Sequence, residues 1–464
     1  MTDPGAGPAR VVVVGAGVAG LLAAAAVAGD GRRTTLVEKD VLPDAPASRP
    51  GTPQDRHPHV LLHRGLLAAE TVLPGLREDL RRAGAVPVDT GRLAWLGEQG
   101  WAPRSRQYEV LSATRPLVEH VLRTRVRALP GVVLRDGTRV DGLARGDDAA
   151  WHVHLADGAT LAADLVVDAS GRTSRLPVWL TALGLPEPRT QEVDARIGYA
   201  SRAYALDRER VTTAGVVLLA SPGRPVGGLA LPVEDGRWLV GQVGVGEQRP
   251  GREPDAFLAG LAALQDPVLA ELAAAAEPAS DVAVHRRTAN RRHAWERRGA
   301  LPDEVLVVGD ALCAFNPIYG QGVAVAALEA AALRAEVRRG WRPRRSARRL
   351  QRRFARTTAL PWAIATGEDL RYPTVAGREG PVAALLGRWT RELGRLAAHG
   401  DTATQERVAS VFHLMAPPLV LLHPRLLAAG LRARLRGYGT PVPRPQVLVP
   451  ASSSRAADVT TRRS

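Results

Sequence analysis

Three glycine-rich turns carry the residues whose types and spacing could do chemistry in this chain of 464 residues. The first, Gly15-Ala16-Gly17-Val18-Ala19-Gly20, follows an apolar run and opens an alanine-rich stretch, and Glu38 comes eighteen residues after it. Gly15 would form the turn, Gly17 would let the backbone approach a pyrophosphate, and Gly20 would let helix and strand pack closely. The helix N-terminus would hold phosphate charge, and Glu38 would accept hydrogen bonds from ribose hydroxyls. The motif therefore predicts a dinucleotide site and leaves FAD and NAD open.

The second turn follows an apolar strand that ends at Asp168, and it contains Gly171. Two interpretations fit this pattern. One is a second cofactor-binding turn, and the other is an ordinary strand-to-helix turn that Asp168 caps.

The third turn runs from the end of an apolar strand at Asp310 to Gly320 and Gly322. Asp310 is placed to bond a ribityl hydroxyl, and the helix that starts near Gly320 would point its positive end at the negative charge of a reduced flavin. Asn316 and Pro317 lie between them and are expected to face the isoalloxazine ring, although a purely structural turn would use the same residues.

These three motifs, in this order, resemble those of the para-hydroxybenzoate hydroxylase-like superfamily of flavoprotein monooxygenases, over most of residues 10–341. The resemblance implies FAD as cofactor, NAD(P)H as reductant and O2 as co-substrate. It also implies that Arg115, in Thr-Arg-Pro-Leu-Val-Glu, approaches the pyrophosphate and that the backbone of Val140 meets adenine. Cys313 departs from the aromatic hydroxylases, which often carry histidine there, and this weakens a phenol hydroxylase assignment.

Four segments are more narrowly similar to bacterial squalene-epoxidase-like flavin epoxidases of polyether and polyene biosynthesis: 49–54, 57–59, 314–322 and 362–373. This similarity implies epoxidation of an alkene in a hydrophobic polyketide or terpenoid intermediate through a flavin C4a-hydroperoxide. Such an oxidant is electrophilic, so the protein would mainly orient the alkene and exclude water. No catalytic side chain is required, and Asn316 and Pro317 are the candidates near the flavin.

Several alternatives remain on the same scaffold. An aromatic hydroxylase is one, and a geranylgeranyl-type prenyl-chain reductase is another, although its Tyr-x-Trp-x-Phe-Pro motif is absent around residues 227–240. A flavin halogenase needs a relay lysine, and the only lysine here is Lys39, directly after Glu38. The intact glycine motifs disfavour a non-enzymatic flavoprotein. No second fingerprint follows a strand, so reduction would need transient NAD(P)H docking or a separate flavin or flavoprotein reductase.

Composition excludes other classes of function. Cys313 is the only cysteine, which rules out an internal disulfide framework and a cysteine-based metal site. His57, His59 and His63 lie close together without a carboxylate partner, so we expect packing and no metal. The formal charge of +15 has no nucleic-acid-binding motif beside it. The expected partner is a hydrophobic small molecule, and the apolar opening run leads into glycines, which predicts a cytoplasmic protein without an export signal.

The order of elements that must position these turns predicts an α/β fold. The opening strand, helix and strand indicate a parallel sheet, and the alternating runs between residues 195 and 246 indicate an inserted antiparallel sheet that covers the substrate. We predict a discontinuous Rossmann-like FAD-binding domain (8–90, 110–190 and 285–340), a substrate domain (91–109 and 191–284), a C-terminal helical region (341–440) and a disordered tail (441–464).

Residues 415–436 contain several leucines beside Arg425, Arg432, Arg434 and Arg436. A stripe of leucines usually packs in a core, so the pattern favours a helix pair that closes the site. An amphipathic surface for lipid is the alternative, and peripheral membrane contact is therefore not favoured.

Overall fold

The computed structural model describes residues 9–449 except 30, 147–149, 298, 342 and 378–379. Its strands in chain order are β1 Arg10–Val14, β2 Arg33–Val37, β3 His59–Leu61, β4 Val86–Asp89, β5 Ala94–Gly97, β6 Gly100–Trp101, β7 Glu109–Ala113, β8 Val132–Arg135, β9 Val140–Arg145, β10 Trp151–Leu155, β11 Thr160–Ala163, β12 Leu165–Asp168, β13 Thr190–Val193, β14 Ile197–Ala205, β15 Val216–Leu218, β16 Val226–Pro232, β17 Arg237–Val245, β18 Glu277–Pro278, β19 Ala283–His285, β20 Asn290–His293, β21 Val305–Val307 and β22 Cys313–Ala314.

The α-helices follow the same chain order. They are α1 Val18–Val27, α2 His63–Val72, α3 Leu76–Arg82, α4 Arg115–Arg127, α5 Leu176–Ala182, α6 Pro254–Ala262, α7 Val268–Ala274, α8 Gln321–Arg338, α9 Pro343–Asp369, α10 Pro381–Ala398, α11 Thr402–Phe412 and α12 Pro424–Arg436. Short 3₁₀ turns at Gly309–Ala311 and Pro317–Tyr319 connect β21 to α8.

A five-stranded sheet forms the centre of the larger domain, in the order β21-β12-β1-β2-β8. Every neighbouring pair in it is parallel. Its central strands β1 and β12 are buried along almost their whole length, which explains why they are continuous runs of valine and leucine. The α/β fold with a Rossmann-like core is confirmed.

The first glycine turn brings β1, α1 and the end of β12 into close contact. Gly15 has φ +98°, and a Cβ there would lie 2.6 Å from the carbonyl oxygen of Ala169. A Cβ on Gly20 would lie 1.7 Å from the carbonyl oxygen of Gly15. Only glycine allows this approach at position 20, so the helix starts directly beneath the strand end, as the sequence predicts.

An eight-stranded sheet forms the second domain. Its order is β18-β14-β17-β16-β15-β5-β6, with β19 also paired to β14. Strands β14 and β17 pair antiparallel over their full length, while β15 and β5 are parallel. One face packs on α6 and α7 through residues such as Trp238, Phe257 and Leu269, and the other face turns toward the parallel sheet.

The C-terminal helices form a small core of their own, in which Leu421 and Leu426 pack with Leu393 and Leu396. The expectation that the leucines of residues 415–436 pack is correct for these two. It is wrong for five others, because nothing in the described part of the chain covers the outer side of α12 and the turn before it. The exposed five are Leu419, Leu422, Leu427, Leu431 and Leu435.

Residues 441–449 are a further correction, since the sequence assigned them to a disordered tail. Val447 is buried in the core of the second domain, and its carbonyl oxygen accepts a hydrogen bond from the amide of Thr212. Arg444 pairs with Asp266 and Glu271. Apolar burial and ion pairing thus hold this segment against the sheet, and residues 450–464 of the predicted tail lie outside the described residues.

Replacing Gly20 by alanine should destabilise the fold, although Gly→Ala within a helix usually adds up to about 1 kcal/mol of stability. The new methyl would overlap the carbonyl of Gly15, and such overpacking costs about 1–3 kcal/mol. Urea unfolding of the FAD-loaded protein measures the change. Gly223→Ala is the matched control, because a Cβ there meets nothing within 4 Å and its φ is not in the left-handed region. Equal stability of the two variants would contradict this account of the turn.

Candidate active site

A cavity of about 480 Å³ lies between the carboxyl edge of the parallel sheet and the inner face of the eight-stranded sheet. Residues from all three glycine turns line it. Of the residues predicted from sequence, these reach the cavity: Gly15, Gly17, Glu38, Arg115, Val140, Gly171, Asp310, Asn316, Pro317, Gly320 and Gly322. Gly20 lies beneath it in the packing role described above. The turns therefore converge on one site.

Two arginines face Gly17 at the N-terminus of α1. A Cβ on Gly17 would lie 3.7 Å from Nη2 of Arg115 and 3.8 Å from Nη2 of Arg49, which is ordinary van der Waals contact, so both guanidinium groups lie directly beside this glycine. Glu119 fixes both guanidinium groups: Arg115 Nε donates to its Oε1 at 2.7 Å and Arg49 Nε donates to its Oε2 at 3.0 Å. Burial alone would raise the pKa of Glu119, but the two arginines lower it below its usual value. The pair remains ionised and presents two cations beside the backbone of Gly17.

Glu38 lies at the end of β2, where it lines the cavity and orders the first turn. Its Oε2 accepts a hydrogen bond from the amide of Ala16 at 2.7 Å, and its Oε1 lies 3.4 Å from Nη1 of Arg49. The same Nη1 donates to Asp40 at 2.7 Å. A ribose contact by Glu38, as the fingerprint predicts, would use lone pairs that these contacts leave.

The lining of the cavity fits an anionic dinucleotide. Two acidic side chains reach it, Glu38 and Asp310, against seven basic ones: Lys39, Arg49, Arg115, Arg139, Arg172, Arg175 and Arg287. The backbone of Gly17 at the cavity, the N-terminus of α1 and two fixed guanidinium groups together suit a pyrophosphate. Val140, at the start of β9, also lines the cavity, and two residues before it the amide of Thr138 donates to the carbonyl oxygen of Glu38 at 3.1 Å.

Asp168 was predicted to bind the cofactor, and the structure corrects this. The residue is buried and does not line the cavity. Its Oδ1 accepts hydrogen bonds from the amide and hydroxyl of Ser170, and its Oδ2 accepts one from the hydroxyl of Ser174. These serines turn the carboxylate inward, so Asp168 caps the turn, which was the alternative interpretation, while Gly171 reaches the cavity.

Two side chains from outside the third turn, Glu329 and Arg172, hold it in place. Glu329, buried on α8, accepts a hydrogen bond from the amide of Gly309 at 2.7 Å, and burial raises the pKa of Glu329 to about 8. Asp310 lies 3.3 Å from Nε of Arg172, which also donates to the carbonyl oxygen of Phe315. Arg172 thereby ties the second glycine turn to the third, and Asp310 reaches the cavity beside the first turn of α8.

Asp369, at the end of α9, anchors the segment that carries Asn316 and Pro317. It is fully buried. It accepts hydrogen bonds from Tyr319 Oη at 2.7 Å, Asn290 Nδ2 at 2.6 Å and Asn316 Nδ2 at 3.3 Å. Asn290 Oδ1 in turn accepts from the amide of Asn316 at 2.7 Å. The C-terminal helical region thus fixes the turn predicted to face the isoalloxazine ring.

The opposite wall of the cavity comes from β14, β16 and β17. It is formed by Tyr199, Ser201, Leu229, Leu231, Gly241, Gln242 and Val243. His57 lies against this wall, with Nδ1 2.9 Å from the hydroxyl of Ser201 and its ring edge-on to Tyr199 at 4.5 Å. Burial, with a smaller effect of neighbouring histidines and an arginine, lowers the pKa of His57 to about 3. This wall is therefore apolar with a few uncharged polar groups.

The histidines and the cysteine adopt packing roles. His59 Nδ1 lies 2.8 Å from the carbonyl oxygen of His57, and His63 Nδ1 lies 2.9 Å from that of Glu109. Within the described residues, no group of three or more His, Cys, Asp or Glu side chains could hold a metal ion. Cys313 is buried, and burial raises the pKa of its thiol.

Sequence reasoning missed the residues that hold the predicted ones in place: Arg49, Glu119, Arg172 and Asp369. Arg49 and Asp369 lie in the segments 49–54 and 362–373 that carry the epoxidase resemblance. The resemblance therefore pointed to both segments, but it assigned no function to either residue. Glu119 lies one helical turn after Arg115, a spacing at which an acid and a base on a helix pair.

A family model for an FAD binding domain matches residues 8–365 of this chain. Among curated proteins, "Protein Rv3254" of Mycobacterium tuberculosis is 32% identical over 461 residues, which cover 92% of this chain and 95% of that protein. Both similarities extend well beyond the glycine turns. The family model confirms FAD as the cofactor predicted from the sequence.

Solved structures share the fold at low sequence identity. A flavin-dependent brominase, Bmp2, aligns with a TM-score of 0.62 and 17% identity, covering 91% of this chain and 99% of that one. PqsL of Pseudomonas aeruginosa, a probable FAD-dependent monooxygenase, aligns with a TM-score of 0.60 and 18% identity, covering 78% and 97%. The two-domain arrangement is thus shared.

The buried network at Asp369 predicts a pH-dependent stability. Burial raises the pKa of this carboxyl from 3.8 to about 6, against the effect of the hydrogen bonds it accepts. A raised folded-state pKa contributes stability that is complete below the unfolded value and is lost as pH rises through the folded value. Relative to Asp369→Asn, the wild-type protein should therefore lose about 2–3 kcal/mol between pH 4 and pH 7, at about 1.4 kcal/mol per unit.

Urea unfolding of FAD-loaded protein across this pH range measures the difference. Glu78→Gln is the control, because Glu78 is an exposed carboxylate on α3 that pairs with Arg82 and is not among the groups that act on the pKa of Asp369. A pH dependence that Asp369→Asn leaves unchanged would exclude Asp369 as the titrating group.

Proposed function

The chain belongs to the FAD binding domain family of flavoprotein monooxygenases, and from this premise we propose that it epoxidises an alkene of a hydrophobic polyketide or terpenoid intermediate. The balanced reaction is alkene + O2 + NAD(P)H + H⁺ → epoxide + H2O + NAD(P)⁺. Bound FAD supplies the electrons that activate O2 and the transfer of one oxygen atom. The residues of this chain bind the cofactor, orient the alkene and exclude water.

The observation that carries this proposal is the uncharged wall opposite the third glycine turn. Leu229, Leu231 and Val243 face the cavity there, and Gly241 leaves room between them. Such a surface suits a hydrocarbon chain, and it excludes water from the reacting atoms. Orientation of one double bond against the turn at Pro317 would then decide which alkene reacts.

The polar groups of this wall favour an alkene over a phenol. Activation of a phenol ring is helped by a general base whose pKa lies near the working pH. His57 has a pKa of about 3, and burial also lowers the pKa of His285. Burial raises the pKa of Tyr199. None of these groups is poised to take a proton near neutral pH, and epoxidation removes no proton from the substrate.

Halogenation is a rival because the fold is shared with a brominase. That likeness, at 17% identity, supports the fold alone. The only lysine, Lys39, directly follows Glu38, the residue that the fingerprint predicts to bind ribose. Halide incorporation is therefore an outcome for the experiment to exclude.

Incubation under ¹⁸O2 with NADPH, a flavin reductase and a linear polyene such as squalene or geranylgeraniol tests the proposal. We expect a product that gains one ¹⁸O at an alkene, as an epoxide or its diol, detected by mass spectrometry. Leu231→Phe should change which double bond reacts, because the larger side chain narrows the cavity at this wall. Leu219→Phe is the control, because Leu219 is exposed just beyond the end of β15.

Three results would contradict epoxidation. Incorporation of bromide or chloride would favour the halogenase, and a gain of two hydrogens without ¹⁸O would favour a prenyl-chain reductase. Oxygenation of a phenol such as 4-hydroxybenzoate, with no reaction of either polyene, would favour an aromatic hydroxylase.

A further inference from the structure

The C-terminal helices expose an unusual share of the chain's large aliphatic side chains. Among the described residues, sixteen large hydrophobic side chains are exposed, and eight of them lie between residues 382 and 435. These eight are Val382, Leu385, Leu386, Leu419, Leu422, Leu427, Leu431 and Leu435. We name this set the leucine face. Helices α10 and α12 share one small core, so these side chains belong to one region of the surface. Exposed apolar residues concentrated in this way mark an interaction site more often than a neutral surface.

Helix α12 shows how the face is built. Leu427, Leu431 and Leu435 recur every four residues and are 46%, 61% and 76% exposed. The buried side of the same helix is separate: Gly430 packs so closely on Trp389 that a Cβ would lie 3.1 Å from its ring. The exposed leucines are therefore additional to those needed for packing within the domain.

Arginines form the remaining sector of α12. At about 100° per residue, Arg425, Arg432 and Arg436 fall together in a third sector, about 120° around the helix from the leucine row and about as far from the buried side, and all three are exposed. Residues 381–436 contain eight arginines and three acidic residues, of which Glu392 is paired with Arg434. The leucine face is thus bordered by net positive charge.

We propose that the leucine face docks on an anionic lipid bilayer, with the leucines inserted at the headgroup boundary and the arginines on lipid phosphates. A leucine row beside an arginine row is the arrangement that lies in the plane of a membrane interface. No described helix is long and apolar enough to cross a bilayer, so contact of this kind is peripheral. The proposal goes beyond the oxygenation reaction and does not depend on it.

Two other occupants fit the face less well. A second copy of this chain would bring its own arginines against these, and like charges across a symmetric contact repel. Residues 450–464 contain a single large aliphatic side chain, Val459, which could not cover eight. The described chain also leads away from the face, because the amide of Val449 donates to Arg210 on the eight-stranded domain.

Co-sedimentation of FAD-loaded full-length protein with vesicles tests the proposal. One set is phosphatidylcholine alone, and in the other about a third of the lipid is phosphatidylglycerol. We expect binding to the anionic vesicles that weakens with added salt. Leu427→Ser, Leu431→Ser and Leu435→Ser together should reduce it about tenfold or more, since three inserted side chains are lost. Arg432→Gln with Arg436→Gln should reduce binding to anionic vesicles roughly tenfold.

The control replaces three equally exposed valines elsewhere, Val41, Val133 and Val178, by serine. It should bind vesicles like the wild type, and all variants should retain FAD and their circular dichroism. Absence of wild-type binding, or an equal loss in the valine control, would overturn the proposal. So would a wild-type dimer that ignores vesicles and becomes monomeric in the leucine variant, because the face would then be a contact between copies. Vesicle binding needs no turnover, so its failure is separate from failure of the epoxidase proposal.

Discussion

A buried carboxylate between a buried arginine, Arg49, and a partly buried one, Arg115, is the interaction on which the cofactor site depends. Arginine side chains placed beside Gly17 without a partner would carry a large desolvation cost, and Glu119 removes it by accepting a hydrogen bond from each. Glu38 and Asp40 complete the contacts of Arg49. Loss of one partner from such a buried set typically costs about 3–5 kcal/mol. The backbone at Gly17 and the fixed cations beside it are therefore one unit, which neither the first turn nor α4 could provide alone.

The rest of the molecule extends this unit toward the substrate. Arg172 joins the second and third turns through Asp310 and Phe315, and Asp369 connects α9 to the turn at Pro317. The cofactor cavity is consequently bordered by elements from three separated parts of the chain and by the inserted sheet. Rigid contacts of this kind favour precise orientation of a substrate over acid-base chemistry, in agreement with the uncharged wall around Leu229 and Val243.

Local motifs in the sequence were sufficient to predict the fold and much of the lining of the cavity, because the residues of each motif are close together in the chain. Gly15, Gly17 and Gly20 act within a single strand-turn-helix unit, so their spacing alone determines the geometry. The orientation of Asp168 could not be predicted in this way, since it depends on the hydrogen bonds that the side chain accepts from both Ser170 and Ser174. Asp369 reaches the flavin turn only through tertiary packing, 53 residues from Asn316. The packing of residues 441–449 and the exposure of the leucine face likewise depend on what lies beside them in space.

Affinity of the apoprotein for FAD and for riboflavin, measured by fluorescence quenching, tests most directly whether the arginine pair holds a pyrophosphate. Riboflavin has the same ring and ribityl chain but lacks the pyrophosphate and adenosine. In Arg115→Gln the affinity for FAD should fall about tenfold or more, as expected for loss of a charge-assisted contact, while the affinity for riboflavin stays within about twofold. An equal loss for both ligands, or no loss for FAD, would contradict the placement of the cofactor between Gly17, Arg49 and Arg115.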